Sequence, residues 1–259
     1  MTIESGFEQF VLFLISTAAN FLSAFSGGGA GLIQLPALIL FGLPFPVALA
    51  THKVASVALG VGAGLRHIRA KSLTPELSLI ILCFGLPGVF LGSTLVLSLP
   101  SHLSTTLLGL LTLFLGLYSS LNPSLGIKKS VPRLNIYRIL IGGLVLFVIG
   151  FLNGSLSSGT GLFVTIWLVK WFSLPYTKAV AFTLILVGFV WNGVGALVLA
   201  SQSEVMFHWI LALILGSFVG GYMGAHFSLL KGDQIVKRSF EAICIVIGIV
   251  LLLQGGSSF

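Results

Sequence analysis

The sequence predicts an all-α integral membrane protein built from two inverted five-segment repeats. Charged residues make up 7% of the 259 residues, against about 25% in soluble domains, while hydrophobic residues reach 56%. Apolar runs of membrane-spanning length recur along the whole chain. The two halves also resemble each other at an offset of about 130 residues. Together these observations exclude an ordinary soluble domain.

The apolar runs between polar breaks predict ten membrane segments. Eight are long enough to span a bilayer at about 1.5 Å per residue. The second and seventh hold only about a dozen residues, close to half a bilayer, and each follows a glycine- and serine-rich break. The predicted segments are residues 7–25, 31–41, 46–65, 77–99, 103–121, 137–155, 161–172, 178–199, 205–230 and 235–254.

The internal repeat is visible in two pairs of matching stretches. Ser26 to Pro44 aligns with Leu156 to Pro175, and Gly85 to Gly92 aligns with Ser217 to Gly224. The second pair carries the GxxxG spacing that allows two helices to approach closely. The predicted division is a first repeat over residues 1–125, a basic cytoplasmic linker over residues 126–136 and a second repeat over residues 137–259.

Loop charges predict that the repeats have opposite orientations. Lysine and arginine in short loops mark the cytoplasmic side. The basic loop at Arg66 matches an uncharged loop at Gln202, and the uncharged turn at Pro100 matches a basic turn at Lys231. Inversion requires an odd number of crossings per repeat, so both termini are expected outside. Inverted repeats with short, glycine-interrupted segments are typical of transporters.

The two breaks form the core of the predicted binding site. A membrane helix can stop inside the bilayer only where the chain is buried in protein or lines a wet cavity. Helices that begin near Gly31 and Gly161 would direct the positive ends of their dipoles to the centre, which favours an anion. Close helix packing is the alternative role of these glycines. The predicted binding residues of the breaks are Ser26, Gly27, Gly28, Gly29, Gly31, Ser157, Ser158, Gly159, Thr160 and Gly161.

Polar residues within the apolar segments extend this predicted site. An intramembrane charge marks a functional candidate, so Lys53 is a candidate counter-charge for a bound anion. Snorkelling of its ammonium to the outer headgroups is the alternative. His52 is either a substrate ligand or a hydrogen-bonded core residue. Further candidates, each with interhelical hydrogen bonding as the alternative, are Thr51, Asn153, Thr183 and Asn192.

Several other functions lack the residues they require. No Asp or Glu lies at the middle of a predicted segment, as a cation pump or carboxylate proton relay requires. The charges lie between apolar runs instead of forming a patch, so no nucleic-acid partner is expected. Cys83 and Cys244 have no metal or disulfide spacing, and no catalytic motif is present. We therefore expect a lipid-embedded protein that has no enzyme activity, cofactor or metal.

Two long stretches resemble a known family. They are SGGGAGLIQLPALILFGLPFPVALATHKVASVALGVGAGLRHIRAKSL in the first half and GFLNGSLSSGTGLFVTIWLVKWFSLPYTKAVAFTLI in the second. Both resemble the sulfite exporter TauE/SafE family. The resemblance implies a multi-pass permease of a bacterial-type cytoplasmic (inner) membrane that exports small sulfur-containing anions. His52 and Lys53 depart from the family pattern, which has Ser followed by an apolar residue there.

The predicted function is export of a small sulfur-containing anion, such as sulfite or an organosulfonate, by alternating access around the central site. A negative cell interior drives anions outward by about 2.3 kcal/mol per charge per 100 mV, so export needs no coupling ion. The alternatives are a small-anion channel, an uptake permease for another small organic anion, and a membrane-embedded enzyme or assembly subunit. The sequence does not predict the oligomeric state.

Overall fold

A computed structural model describes residues 3–69, 73–95, 101–127, 135–156 and 159–256. Every regular element in these ranges is helical, which confirms the predicted all-α class. The elements are α1 (Ile3–Ser26), α2 (Gly31–Leu40), α3 (Phe45–Arg69), α4 (Pro75–Leu95), α5 (Ser101–Ser120), α6 (Ile136–Leu156), α7 (Thr160–Trp171), α8 (Tyr176–Phe182), a π-helical segment (Thr183–Trp191), α9 (Asn192–Gln202) and α10 (Phe207–Gly256).

The lengths and surfaces of the helices are those of a multi-pass membrane protein. Within the described ranges, five helical runs are long and apolar enough to cross a bilayer: Gly6–Ser26, Phe45–Ile68, Pro75–Leu95, Ile136–Leu156 and Tyr176–Gln202. The short helices α2 and α7 have 10 and 12 residues, as predicted. Large apolar side chains such as Phe7 and Leu197 are 71% and 76% exposed, which suits contact with lipid. The total of ten segments remains a prediction.

The helix α10 is two helices joined at a kink. It runs for 50 residues, but Gly232 has φ 76° and ψ 176°, which is not helical. A positive φ of this kind is accessible to glycine at little cost. The kink separates a first arm, residues 207–231, from a second arm, residues 233–256. These arms correspond to the ninth and tenth predicted segments.

Glycines allow the long helices to touch backbone to backbone. An added β-carbon at Gly88 or Gly92 of α4 would lie 2.1 or 2.0 Å from a carbonyl oxygen of α6. At Gly220 or Gly224 of α10 it would lie 2.3 Å from a carbonyl oxygen of α1. No side chain larger than hydrogen fits at such distances. The predicted packing role of the two GxxxG pairs is therefore confirmed.

Helices of the first half pack on helices of the second half in reciprocal pairs. The α1 helix packs on the first arm of α10, while α6 packs on α4. The third helix of each half also meets its counterpart, since Gly60 of α3 lies against Gly188 of the π segment. Likewise α5 packs on the second arm of α10, where Gly116 meets Cys244. This reciprocal packing is what a two-fold pseudo-symmetry produces. The opposite orientation of the repeats and their limits remain predictions.

Candidate functional site

The two breaks meet at the centre of the helix bundle. An added β-carbon on Gly28 would lie 2.5 Å from the carbonyl carbon of Gly161. Gly27, Gly28 and Gly29 have φ values of 99°, 139° and 100°. Only glycine adopts such backbone conformations without strain. Glycine is thus required in the first break both for its backbone conformation and for the close contact between the halves. Close packing is therefore part of the role of these glycines.

A cavity of about 40 Å³ lies where the breaks meet. At roughly 10–15 Å³ per water, it has room for a few water molecules or one small ion. Residues from α1, α3, α6, the π segment and α9 complete its wall beside the breaks. The lining residues are Ser23, Gly28, Gly29, Ala30, Gly31, His52, Ser56, Leu59, Asn153, Thr160, Gly161, Thr183, Leu184, Val187, Gly188 and Asn192.

Nine of the residues predicted to bind substrate line this cavity. They are Gly28, Gly29, Gly31, His52, Asn153, Thr160, Gly161, Thr183 and Asn192. Ser26, Gly27, Thr51, Lys53 and Gly159 are described by the structure but lie outside the lining. Ser157 and Ser158 lie outside the described residues.

The predicted residues outside the lining have structural contacts instead. The Ser26 hydroxyl donates to the carbonyl oxygen of Leu22 at 2.8 Å, within its own helix. The carbonyl oxygen of Gly27 accepts from the Thr165 hydroxyl at 2.6 Å. These contacts hold the break in place.

Two further predicted residues pack away from the cavity. The Thr51 hydroxyl oxygen accepts from the backbone N–H of Met206 at 2.9 Å, on another side of α3. Gly159 lies against Leu32, to whose side chain an added β-carbon would come within 3.0 Å. Both positions support the surrounding helices.

Lys53 lies immediately behind the cavity wall. Its side chain is 0% exposed, so its ammonium does not snorkel to the headgroups. Its Nζ atom donates to Oδ1 of Asn153 at 2.8 Å and to Oδ1 of Asn192 at 2.9 Å. Within the described ranges, the ion pair that forms is Lys237 with Glu241. Lys53 is therefore held by two neutral amides that line the cavity, and none of the carboxylates that the structure describes binds it.

His52 lines the cavity and also belongs to a buried hydrogen-bond network. Its Nδ1 atom lies 3.1 Å from Oε1 of Gln34 on α2. A second pair has the same separation of 18 residues in the second half, where the hydroxyls of Thr165 and Thr183 lie 2.9 Å apart. Each half thus links its short helix to the helix that follows by one polar contact at the cavity.

Sequence reasoning missed three polar residues of the site. Ser56 lies four residues after His52, so the helical period places both on one face of α3. Ser23 lies one turn before the first break. Gln34 is the one polar side chain within the otherwise apolar α2. Helical spacing from the predicted residues could have found the two serines.

These features define the class of the protein. An all-helical, multi-pass fold in which two short helices begin at a central cavity that carries a few polar side chains is that of a membrane transporter. The sequence model described as "Sulfite exporter TauE/SafE" matches residues 12–251. The chain belongs to this family, which confirms the resemblance seen in the sequence.

Named relatives agree with this assignment. A "Probable membrane transporter protein" of Haemophilus influenzae is 30% identical over 233 residues, 88% of either chain. "Probable membrane transporter protein ORF9" of a Sinorhizobium species is 28% identical over 242 residues, covering 93% of this chain and 91% of the relative. "Probable membrane transporter protein YfcA" of Escherichia coli is 27% identical over 244 residues, covering 93% and 88%. No solved structure matches this chain.

Proposed function

We propose that the protein exports a small sulfur-containing oxyanion, such as sulfite or an organosulfonate, by alternating access around the central cavity. The observation that carries the proposal is Lys53. Its buried ammonium is held by Asn153 and Asn192 beside the cavity, and no carboxylate of the described residues binds it. A buried charge without a counter-charge costs several kcal/mol, which an anion in the cavity would offset.

The short helices support the same choice of substrate. The α2 helix begins at Gly31 and α7 begins at Thr160, and both residues line the cavity. The start of a helix carries a partial positive charge of about half a unit, which stabilises anions nearby. Two such ends lie at a cavity of about 40 Å³, and the Lys53 ammonium lies behind its wall. This size favours a compact oxyanion such as sulfite over a sulfonate with a long organic tail.

Alternating access is supported by the shared framework of the two halves. The breaks meet at Gly28 and Gly161, and corresponding helices pack reciprocally around them. In such a framework, small rearrangements can open the same central site to either side. We place the protein in the cytoplasmic membrane with both termini outside, where the membrane potential drives a monoanion outward by about 2.3 kcal/mol per 100 mV.

Flux measurements in proteoliposomes test the site. Lys53→Met keeps the length of the side chain but removes its charge. Loss of a charged hydrogen-bonding group costs about 1.5–3 kcal/mol, so we expect a roughly ten- to hundredfold weaker apparent affinity for radiolabelled sulfite. Lys170→Met is the matched control, because Lys170 is exposed and bonds to the Tyr118 hydroxyl away from the cavity. Equal transport by wild type and Lys53→Met would refute the site.

The same vesicles test the substrate and the mechanism. Sulfite trapped inside should accelerate entry of labelled sulfite, since counterflow requires a carrier that faces each side in turn. Flux that neither saturates nor shows counterflow would indicate the small-anion channel instead. No sulfite flux in the wild type, with flux of another organic anion, would refute the proposed substrate.

A further inference from the structure

A buried hydrogen-bond network leads from the cavity to two backbone carbonyl groups. The Ser16 hydroxyl donates to the carbonyl oxygen of Leu213 at 2.7 Å. The Asn20 amide nitrogen donates to the carbonyl oxygen of Ser16 at 2.7 Å. A carbonyl oxygen can only accept a hydrogen bond. These two contacts therefore fix which atoms of Ser16 and Asn20 are donors.

The orientation of the Gln34 amide follows from these two donors. Its Nε2 atom lies 3.2 Å from the Ser16 hydroxyl oxygen, whose own proton is directed at Leu213, so this oxygen accepts. Its Oε1 atom lies 3.3 Å from the Asn20 amide nitrogen, which donates. A flipped Gln34 amide would place two donors together at one contact and two acceptors together at the other. The oxygen of Gln34 therefore faces His52.

The tautomer of His52 follows in turn. Because Oε1 of Gln34 can only accept, Nδ1 of His52 at 3.1 Å must carry a proton. In a neutral imidazole the other nitrogen, Nε2, then has a lone pair and no proton. No described residue hydrogen-bonds Nε2, and His52 is among the residues that line the cavity. The cavity is therefore lined by an acceptor as well as by the groups that attract an anion.

Among the described residues at the cavity, no side chain near His52 has a carboxylate or, apart from that of Lys53 behind the wall, a titratable proton. The polar side chains that line the same cavity from α1, α3, the π segment and α9 include Ser23, Ser56, Thr183 and Asn192, which do not titrate. Gln34 of α2 is also neutral. The charged group beside His52 is Lys53, which donates to its two asparagines. An oxyanion oxygen without a proton would thus bring its lone pair against the lone pair of Nε2.

We propose that the site binds its oxyanion together with one proton, which lies between an anion oxygen and Nε2 of His52. This inference rests on the proposed function and specifies its substrate as an oxyanion that either brings a proton, as hydrogen sulfite does, or binds when His52 takes one up. The proton passes from solvent or from the ligand to the shared position and leaves with the anion. Gln34 acts as a positioning residue, since it fixes the tautomer without facing the cavity.

Chlorate is a suitable probe because it has the pyramidal shape of sulfite but stays a monoanion without a proton across the working pH range. Calorimetry of the purified full-length protein, in two buffers of different ionisation enthalpy, counts the protons taken up on binding. We expect chlorate to bind with uptake of about one proton, and its dissociation constant to rise about tenfold per pH unit. Hydrogen sulfite, at a pH where it is already protonated, should bind without proton uptake.

Two variants and one control make the result specific. His52→Gln should bind chlorate without proton uptake and without the tenfold change per pH unit. Gln34→Met leaves Ser16 and Asn20 their carbonyl partners but frees the ring to present Nε2–H, so it should also bind chlorate without proton uptake. His208→Gln, which changes an exposed histidine at the start of α10, should behave as wild type.

The outcomes separate this inference from the proposed function. Binding of hydrogen sulfite with no detectable binding of chlorate supports the inference, because it shows that the ligand must bring the proton. Chlorate binding without proton uptake in the wild type, or with undiminished uptake in both variants, overturns it while leaving anion transport intact. Absence of both binding and flux for every anion refutes the proposed function itself.

Discussion

The contact between the two breaks predicts a large effect for Gly28→Ala. The added β-carbon would lie 2.5, 2.6 and 2.7 Å from three backbone atoms of Gly161 and Leu162, where ordinary contacts are 3.4–4 Å. Backbone atoms cannot rotate aside as a flexible side chain can, so α7 or the first break must shift. Overpacking of this kind costs about 1–3 kcal/mol. The φ of 139° adds about 1–3 kcal/mol of strain for a residue with a side chain.

We therefore expect Gly28→Ala to lose about 2–6 kcal/mol of stability, which thermal unfolding in detergent would show as a melting temperature several degrees lower. Sulfite flux should fall as well, because the shifted break lines the cavity. Gly193→Ala is the matched control: an added β-carbon there meets nothing within 4 Å, and alanine favours a helix. If Gly28→Ala melted and transported as the wild type does, the two breaks would not be in contact and the site would have to be placed elsewhere.

Two further substitutions separate charge from structure. Asn192→Asp keeps the oxygen atom that accepts from Lys53 at 2.9 Å but adds a negative charge at the cavity. We expect the melting temperature to be unchanged or higher, while the apparent sulfite affinity in the flux assay falls by tenfold or more. An unchanged affinity would argue against an anion at this position. Glu241→Gln removes the carboxylate that accepts from the Ser119 hydroxyl at 2.8 Å and from Lys237, which is 5% exposed. We expect the free energy of unfolding to fall by about 3–5 kcal/mol in a thermal unfolding experiment, with the sulfite affinity unchanged. A melting temperature equal to that of the wild type would contradict this.

The apolar runs were sufficient to predict where most helices lie. The predicted segment 31–41 is α2 at Gly31–Leu40, and the predicted segment 161–172 is α7 at Thr160–Trp171. A helix can end inside a bilayer only where its backbone is buried in protein or lines a cavity. The glycines and serines of the breaks suit such places, so they indicated where the short helices begin. The approach of the two breaks to each other is also what the predicted repeat implies, since a two-fold relation brings equivalent segments together near its axis.

The π-helical segment could not be read from the sequence. Its residues, Thr183–Trp191, are almost uniformly apolar, so they show no periodicity that distinguishes a π-helix from an α-helix. Yet this segment contributes Thr183, Leu184, Val187 and Gly188 to the cavity. π-Helical turns often occur at functional sites because they re-aim side chains within a continuous helix.

The direction of polar side chains was the other unpredictable feature. The position of Lys53 along α3 was equally consistent with a headgroup contact and with the cavity, and its two asparagine partners are 100 and 139 residues away in sequence. Likewise the tautomer of His52 depends on Leu213, through Ser16 and Gln34. Such contacts depend on how distant helices pack, which local periodicity does not encode.

The site combines a repeated framework with chemistry that is not repeated. Both halves supply a break, a short helix and a polar pair 18 residues apart, but the pair is Gln34 with His52 in one half and Thr165 with Thr183 in the other. Among the described residues, the ammonium beside the cavity, that of Lys53, likewise comes from the first half, whereas the buried Lys237 of the second half is paired with Glu241. An ionised group is expensive inside a membrane, and the proposed monoanion would need only one counter-charge, so a second lysine at the cavity would add cost without a ligand to neutralise it. In the proposed binding mode, the two ends of the oxyanion would therefore meet different groups, with Lys53 behind the cavity wall and the acceptor of His52 within it. Under the proposed function, a repeated framework would open the site to either side of the membrane, while the unrepeated polar groups would hold one anion in one orientation.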